Sequence, residues 1–134
     1  TLGAGYEYLG SDNNAGVRMP LSTLHAFNGW ADVFLTAPAP ANGFQDLYFI
    51  AAVKLPYEVP LRFIYHEFFS AKGGANYGSE FDIVASKKFG KYFTALVKYA
   101  HYDAGDAIQF AAPPAAAVAP FDKDVFWAQI EFNY

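Results

Sequence analysis

Two acidic residues, Glu80 and Asp82, lie two positions apart in a segment of alternating polarity. On a β-strand this spacing places both carboxyl groups on one face, where a pair of carboxylates can carry out acid–base chemistry. Neighbouring segments supply Arg62 and Lys98, so the pair also fits a ladder of charges in a wet cavity. No nucleophile with an adjacent base accompanies the pair. We therefore predict the charge ladder, and we expect no enzymatic activity.

The histidines offer little for a metal site. His25, His66 and His101 fall on different segments, no two of them have metal-ligand spacing, and the chain has no cysteine. We expect neither a metal nor another cofactor. The runs 11–14 and 103–106 carry loop oxygens that suit Ca²⁺, but their residue types are equally typical of turns. Calcium binding stays open at this point.

The composition restricts the class of protein. Hydrophobic residues make up 54% of the chain and aromatic residues 19%, whereas charged residues make up only 16%, against about 25% in ordinary soluble domains. Such a chain must bury much of its surface or face lipid. It has no run of about 18 apolar residues, so no transmembrane helix is predicted. It has no basic run either, so we expect no nucleic-acid partner. Thr1 begins directly in patterned sequence without a signal peptide, which we interpret as a mature or truncated chain.

The segments that must position these residues alternate with period 2, which predicts β-strands. Their approximate bounds are 1–9, 45–55, 61–69, 79–87, 92–102 and 124–134. Each is close to the ~9–11 residues with which a tilted strand crosses a membrane. The connections run long (10–44), short (56–60), medium (70–78), short (88–91) and long (103–123). This alternation is typical of outer-membrane β-barrels, whose short turns face the periplasm.

The two predicted faces differ sharply in chemistry. One face carries no charge, and we predict that it meets lipid. Its members are Leu2, Ala4, Tyr6, Tyr8, Leu47, Phe49, Ala51, Val53, Leu55, Leu61, Phe63, Tyr65, Phe81, Ile83, Ala85, Phe93, Ala95, Val97, Tyr99, Phe126, Ala128, Ile130, Phe132 and Tyr134. The opposite face is polar, and we predict that it lines a water-filled lumen. Its candidate pore-lining residues are Glu7, Asp46, Lys54, Arg62, His66, Glu80, Asp82, Lys98, Gln129 and Glu131.

The long segment 19–35 is too apolar for a solvated loop. It includes Phe27 and Trp30, and its apolar residues have partly helical spacing. Because each large apolar side chain gains about 1.5–3 kcal/mol from burial, we predict that part of the segment folds toward the lumen. There Phe27 and Trp30 would form a constriction. Packing on the barrel rim without any role in transport is the alternative.

The last strand and five further motifs resemble a known family. Residues 126–134 read FWAQIEFNY, an alternating segment with a terminal aromatic residue. It resembles the C-terminal strand that the outer-membrane assembly machinery recognises. The further motifs are LHAFNGWAD (24–32), GFQDLY (43–48), YHEF (65–68), YGSEFD (77–82) and KYAHYD (98–103). Together they are similar to the C-terminal part of the alginate-export family of outer-membrane proteins.

The resemblance covers nearly the whole chain except the Ala- and Pro-rich stretch 111–120. It implies a monomeric antiparallel up-and-down transmembrane β-barrel of about eighteen strands, of which residues 1–134 would form the C-terminal third. The family name implies an anionic polysaccharide, but the acids on the predicted lumen face outnumber the bases, so this segment does not itself indicate alginate.

The sequence thus predicts an all-β, porin-like channel of the bacterial outer membrane for passive passage of a hydrophilic solute or polysaccharide. The expected partners are the lipid bilayer, lipopolysaccharide, the assembly machinery and the transported solute. Six strands do not close such a barrel, so the remaining strands must come from a longer chain or from other subunits. The alternative is a soluble β-sandwich or small barrel that binds carbohydrate or lipid through its aromatic residues.

Overall fold

The structure is a computed structural model, and it describes residues 1–13, 15–17, 28–34, 41–106 and 121–134. The segments with period 2 all form β-strands, as predicted. The strands are β1 (Leu2–Leu9), β2 (Ser11–Asp12), β3 (Ala15–Gly16), β4 (Phe44–Leu55), β5 (Val59–Phe69), β6 (Asn76–Phe89), β7 (Phe93–Ala104) and β8 (Lys123–Phe132). A single 3-10 turn, Pro56–Glu58, joins β4 to β5.

Six of these strands form one antiparallel sheet in the order β1-β4-β5-β6-β7-β8, which confirms the all-β, antiparallel part of the predicted fold. Each strand of this sheet pairs with the next of the six along the chain, as in an up-and-down meander. The remaining two strands, β2 and β3, form a small hairpin inside the region predicted to be one long loop. In the large sheet β1 and β8 are edges, so the described strands do not close on themselves.

The strand register places the predicted apolar positions on one continuous face. One row across the sheet runs through Leu2, Ala51, Phe63, Ile83, Tyr99 and Phe126. A row on the opposite face, three residues away along each strand, runs through Gly5, Tyr48, His66, Glu80, Tyr102 and Lys123. We name these two surfaces the apolar face and the polar face.

Burial on the two faces is the reverse of that in a soluble sheet. On the apolar face, Leu2 is 86% exposed and Ile130 is 79% exposed. On the polar face, Glu80 is 1% exposed and Asp82 is 0% exposed. Soluble proteins seldom expose large contiguous apolar patches, and they seldom bury acidic residues fully. The fold therefore places charge inside and hydrocarbon outside.

A small aromatic core lies on the polar face at the long-loop end of the sheet. Phe44, Phe68 and Tyr102 are fully buried there. Phe34, from the long connection between β3 and β4, places its ring 4.6 Å from that of Phe44 and 4.7 Å from that of Phe68. This core fixes the segment 28–34 against the sheet, since ring pairs at such distances contribute about 0.5–1.5 kcal/mol beyond their buried area.

Candidate functional site: a polar face covered by segment 28–34

The segment 28–34 lies on the polar face and is anchored there by carboxylates of the sheet. The backbone N–H of Ala31 donates to Oε1 of Glu80 at 2.6 Å, and the N–H of Trp30 donates to Oδ2 of Asp82 at 3.3 Å. The side-chain amide of Asn28 donates to Oε2 of Glu7 at 2.6 Å. Three acids on two strands thus hold one short segment by its donors.

The turn geometry of this segment depends on a glycine. Gly29 has φ +87°, a left-handed conformation that is costly for residues with a Cβ. A Cβ at this position would also stand 2.4 Å from Oε2 of Glu80. The backbone therefore approaches the carboxylate as closely as only a glycine allows. The Asn28-Gly29 dipeptide supplies the turn chemistry that the approach needs.

Two lysines complete the contact between the segment and the sheet. Lys123, at the start of β8, donates from Nζ to the carbonyl oxygen of Ala31 at 2.5 Å. Nζ of Lys98 lies 5.2 Å from the ring centroid of Trp30 and 5.1 Å from that of Trp127. Both distances fall within the range of a cation–π interaction. The indole of Trp30 is therefore held over a positive charge on the polar face.

Glu80 and Asp82 form a buried carboxyl pair beneath this segment. Each has one oxygen engaged by a segment N–H, and their spacing of two along β6 places both side chains on the polar face. The remaining oxygens, Oε2 of Glu80 and Oδ1 of Asp82, are buried and have no hydrogen-bond partner among the described residues.

His66 links this pair to a third acid. Its Nδ1 lies 2.9 Å from each carboxylate oxygen of Asp46, and its Nε2 lies 3.6 Å from Oδ2 of Asp82. His66 and both acids are buried. The charge ladder of the polar face therefore runs from Asp46 through His66 to Asp82.

This pairing corrects one sequence prediction. The bases expected to pair with Glu80 and Asp82 were Arg62 and Lys98, but no ion pair of the described residues joins them to either acid. The register explains the difference. Arg62 and Lys98 both lie in the row of Val84, one row beyond Asp82 toward the short turns, whereas His66 stands directly opposite Glu80.

Between the segment and the sheet lies an open cavity of about 620 Å³. Its lining combines charged groups with apolar ones. Among the residues that line it are Glu7, Trp30, Asp46, Arg62, His66 and Lys98. Tyr48, Ile50 and Ile64 supply the apolar part of the wall. The cavity is large enough for a small polar solute or one sugar residue.

The structure separates the remaining predicted residues from this cavity. Lys54, Gln129 and Glu131 share the polar face but lie toward its short-turn end. There Lys54 forms an exposed ion pair with Glu58, and Glu131 accepts from Nδ2 of Asn133 at 2.6 Å. Phe27, the other predicted constriction residue, lies outside the described residues.

Three contributors to the site escaped the sequence reasoning: Asn28, Gly29 and Lys123. An Asn-Gly pair ahead of an apolar run is a turn signal that could have located the first two. Lys123 carried no signal, because its contact is with a backbone carbonyl far away in the chain. The backbone N–H donors of Trp30 and Ala31 could not be predicted from residue type either, since every residue other than proline has an N–H.

Among the residues that the structure describes, no three histidine or acidic side chains cluster in a way that could hold a metal ion. The described part of the chain likewise contains no helix of the length and hydrophobicity needed to span a membrane.

Comparison of the chain with family models, with curated proteins and with solved structures gives no match in any of the three.

Proposed function

We propose that this chain is part of an outer-membrane β-barrel channel for a hydrophilic solute, with the apolar face against lipid and the polar face toward a water-filled lumen. The observation that carries the proposal is the reversed polarity of the sheet: exposed aromatic and aliphatic side chains on one face, and buried Asp46, Glu80 and Asp82 on the other. A surrounding apolar solvent would make that arrangement favourable over the whole sheet.

The lengths of the strands support the same proposal. The large strands β4 to β8 contain between 10 and 14 residues, and a tilted strand needs about 9–11 to cross a bilayer. Turns are short at the ends joined by 56–58 and 90–92, whereas the connections at the other end are longer. Bacterial outer-membrane barrels share this asymmetry.

The open edges β1 and β8 indicate that further strands complete the barrel. A strand edge in lipid leaves backbone N–H and C=O groups without partners, each at a cost of several kcal/mol. The missing strands come from a longer chain or from other subunits, and the resemblance to the alginate-export family favours the longer chain. The proposed partners are lipid, lipopolysaccharide and the outer-membrane assembly machinery, which would recognise β8.

Within this channel the segment 28–34 acts as a constriction. It occupies the polar face, and its anchors are all side chains of that face. Selectivity then arises from the cavity beside it, where Arg62 and Lys98 stand near Glu7 and Asp46. Passage is passive, and it requires no catalytic residue.

A β-sandwich that binds carbohydrate or lipid has less support. A sandwich needs a second sheet packed about 10 Å from the first, on its apolar face. Among the described strands, only the two-residue pair β2 and β3 lies outside the large sheet. That hairpin is too small to cover the exposed apolar side chains of six strands.

The test uses thiol block of ion current, because the chain contains no cysteine of its own. Lys98→Cys and Val97→Cys are introduced separately and the channel is reconstituted in a planar bilayer. A water-soluble methanethiosulfonate reagent should reduce the current through Lys98→Cys and leave Val97→Cys unaffected. Block of Val97→Cys alone would overturn the assignment of the faces. Absence of any ion current from the complete barrel, reconstituted with the strands that close it, would contradict the channel itself.

A further inference from the structure

Lysines and aromatic rings gather on the apolar face at the end formed by the short turns. We call this group the short-turn rim: Tyr57, Lys87, Phe89, Lys91 and Tyr92. Nζ of Lys87 lies 5.2 Å from the ring centroid of Tyr57 and 5.5 Å from that of Phe89. Nζ of Lys91 lies 5.3 Å from that of Tyr92. Each amino group therefore sits against an aromatic surface, and no carboxylate intervenes.

The charges of Lys87 and Lys91 are available to bind an anionic ligand. Within the described part of the chain, no acidic side chain forms an ion pair with Lys87 or Lys91, whereas Lys54 at the same end is paired with Glu58. A lysine held against aromatic rings retains its three donors for a further ligand. The rim thus offers two positive groups that the sheet itself does not neutralise.

The aromatic rings of the short-turn rim are exposed to solvent in the isolated sheet. Tyr57 is 84% exposed, and Phe89 is 51% exposed. Tyr57 also has φ +62°, a left-handed conformation that is a genuine outlier for a bulky residue. The contact with Lys87 leaves most of the Tyr57 ring exposed. Tyrosine is enriched at the membrane–water interface of a bilayer, so a bilayer at this level would favour the exposed ring.

The opposite end of the apolar face has the opposite charge. Glu67 accepts from the hydroxyl of Tyr65 at 2.5 Å, and Asp124 lies 2.8 Å from Nδ1 of His101. Asp103 and Asp124 are both exposed there. The apolar band therefore ends in acids toward the long loops and in unneutralised lysines toward the short turns. Among the described residues of the apolar face, anionic groups are therefore complementary to the short-turn end.

We propose that the short-turn rim binds the phosphate groups of anionic phospholipid headgroups in the leaflet that meets the short turns. This inference rests on the proposed function, because it requires the apolar face to lie in lipid. Lys87 and Lys91 supply the charge, and Tyr57, Phe89 and Tyr92 supply the interfacial anchors. A basic residue near an anionic membrane surface contributes about a fivefold gain in binding, so the pair contributes about 25-fold.

The experiment measures the partition of the refolded protein into phosphatidylcholine vesicles with and without phosphatidylglycerol as a minor component. The test variant is Lys87→Gln/Lys91→Gln. The matched control is Lys72→Gln/Lys88→Gln, which removes the same net charge. Lys72 lies in the turn at the other end of the sheet, and Lys88 lies on the polar face.

The unmodified protein and the control should prefer the anionic vesicles by about 25-fold, and the test variant should lose most of that preference. Added salt should weaken the preference, since screening shortens the range of the attraction. Equal losses in both variants, or a preference retained by the test variant, would overturn the rim as a headgroup site. Binding of an acidic peptide by the rim without any vesicle preference would overturn it as well. Failure of all three proteins to enter either vesicle would instead refute the proposed function, so the two failures are distinguishable.

Discussion

The backbone N–H of Ala31 donates a 2.6 Å hydrogen bond to a carboxylate oxygen of Glu80, across 49 residues of sequence. Glu80 is buried beneath the segment and is only 1% exposed. The contact thus joins a backbone N–H of the segment 28–34 to a buried carboxylate of β6. The position of the segment 28–34 depends on this contact, because hydrogen bonds to charged groups contribute about 1.5–3 kcal/mol.

Replacement of Glu80 by alanine should release the segment from the polar face. The N–H of Ala31 would lose its acceptor, and Trp30 would become more hydrated. In a Trp127→Phe background Trp30 is the remaining tryptophan, so its emission reports the change directly, and we expect a shift to longer wavelength. Glu80→Gln retains an acceptor and should shift much less. Identical spectra for both variants would show that Glu80 does not anchor the segment.

Gly29 should tolerate a side chain poorly. Gly29→Ala introduces a Cβ at φ +87°, 2.4 Å from Oε2 of Glu80. Gly73→Ala is the matched control, because Gly73 has φ +85° with no atom within 4 Å of its added Cβ. We expect the control to lower the free energy of unfolding by about 1–2 kcal/mol through its backbone alone. Gly29→Ala should lower it by clearly more in a denaturant titration in lipid. Equal losses would indicate that Glu80 moves aside without cost.

A charged substitution should destabilise the protein more on the apolar face than on the polar face. Phe63→Arg or Ile83→Arg places a guanidinium in lipid, and the expected loss of folding free energy is about 2–4 kcal/mol near the bilayer midplane. Thr94→Arg on the polar face should cost much less, because water reaches that face. Refolding titrations in lipid vesicles measure both. A cost at Thr94 as large as that at Phe63 would be inconsistent with the two faces as we assign them.

The C-terminal residues should matter for assembly and for the end of the sheet. Phe132 places its ring 5.1 Å from that of Phe93, and the N–H of Asn133 donates to the carbonyl of Tyr92 at 2.8 Å. Deleting Phe132–Tyr134 removes these contacts and the terminal aromatic residue that resembles the assembly signal. We expect a reduced yield in the outer membrane on quantitative immunoblots of membrane fractions. A yield equal to that of the intact chain would refute the role of the terminus.

The sequence predicted the strands and their faces well, because a period of two is a local property of the chain. The alternation within each strand decides which face a side chain joins, so Phe63 and Ile83 could be assigned to the apolar face without coordinates. The bridge from Asp46 through His66 to Asp82 could not be predicted. It depends on the register among β4, β5 and β6, and a shift by one residue would move each side chain to the other face.

The docking of 28–34 was predictable only in outline. The apolar character of Trp30 and Phe34 indicates burial, but it does not specify a surface. The surface is set by Phe44, Phe68 and Tyr102, which collect at one end of the polar face. The polar anchors are main-chain donors, and residue type carries almost no information about where a main-chain donor will bond.

The most direct test of the central claim is the accessibility of consecutive residues on β7 in lipid. Single spin labels at Ala95, Leu96, Val97 and Lys98 are measured against oxygen, which concentrates in the bilayer, and against a water-soluble nickel chelate. The account predicts that oxygen collides preferentially with labels at Ala95 and Val97, and that the chelate prefers Leu96 and Lys98. Uniform exposure of all four positions to the chelate, or alternation in the opposite phase, would contradict it.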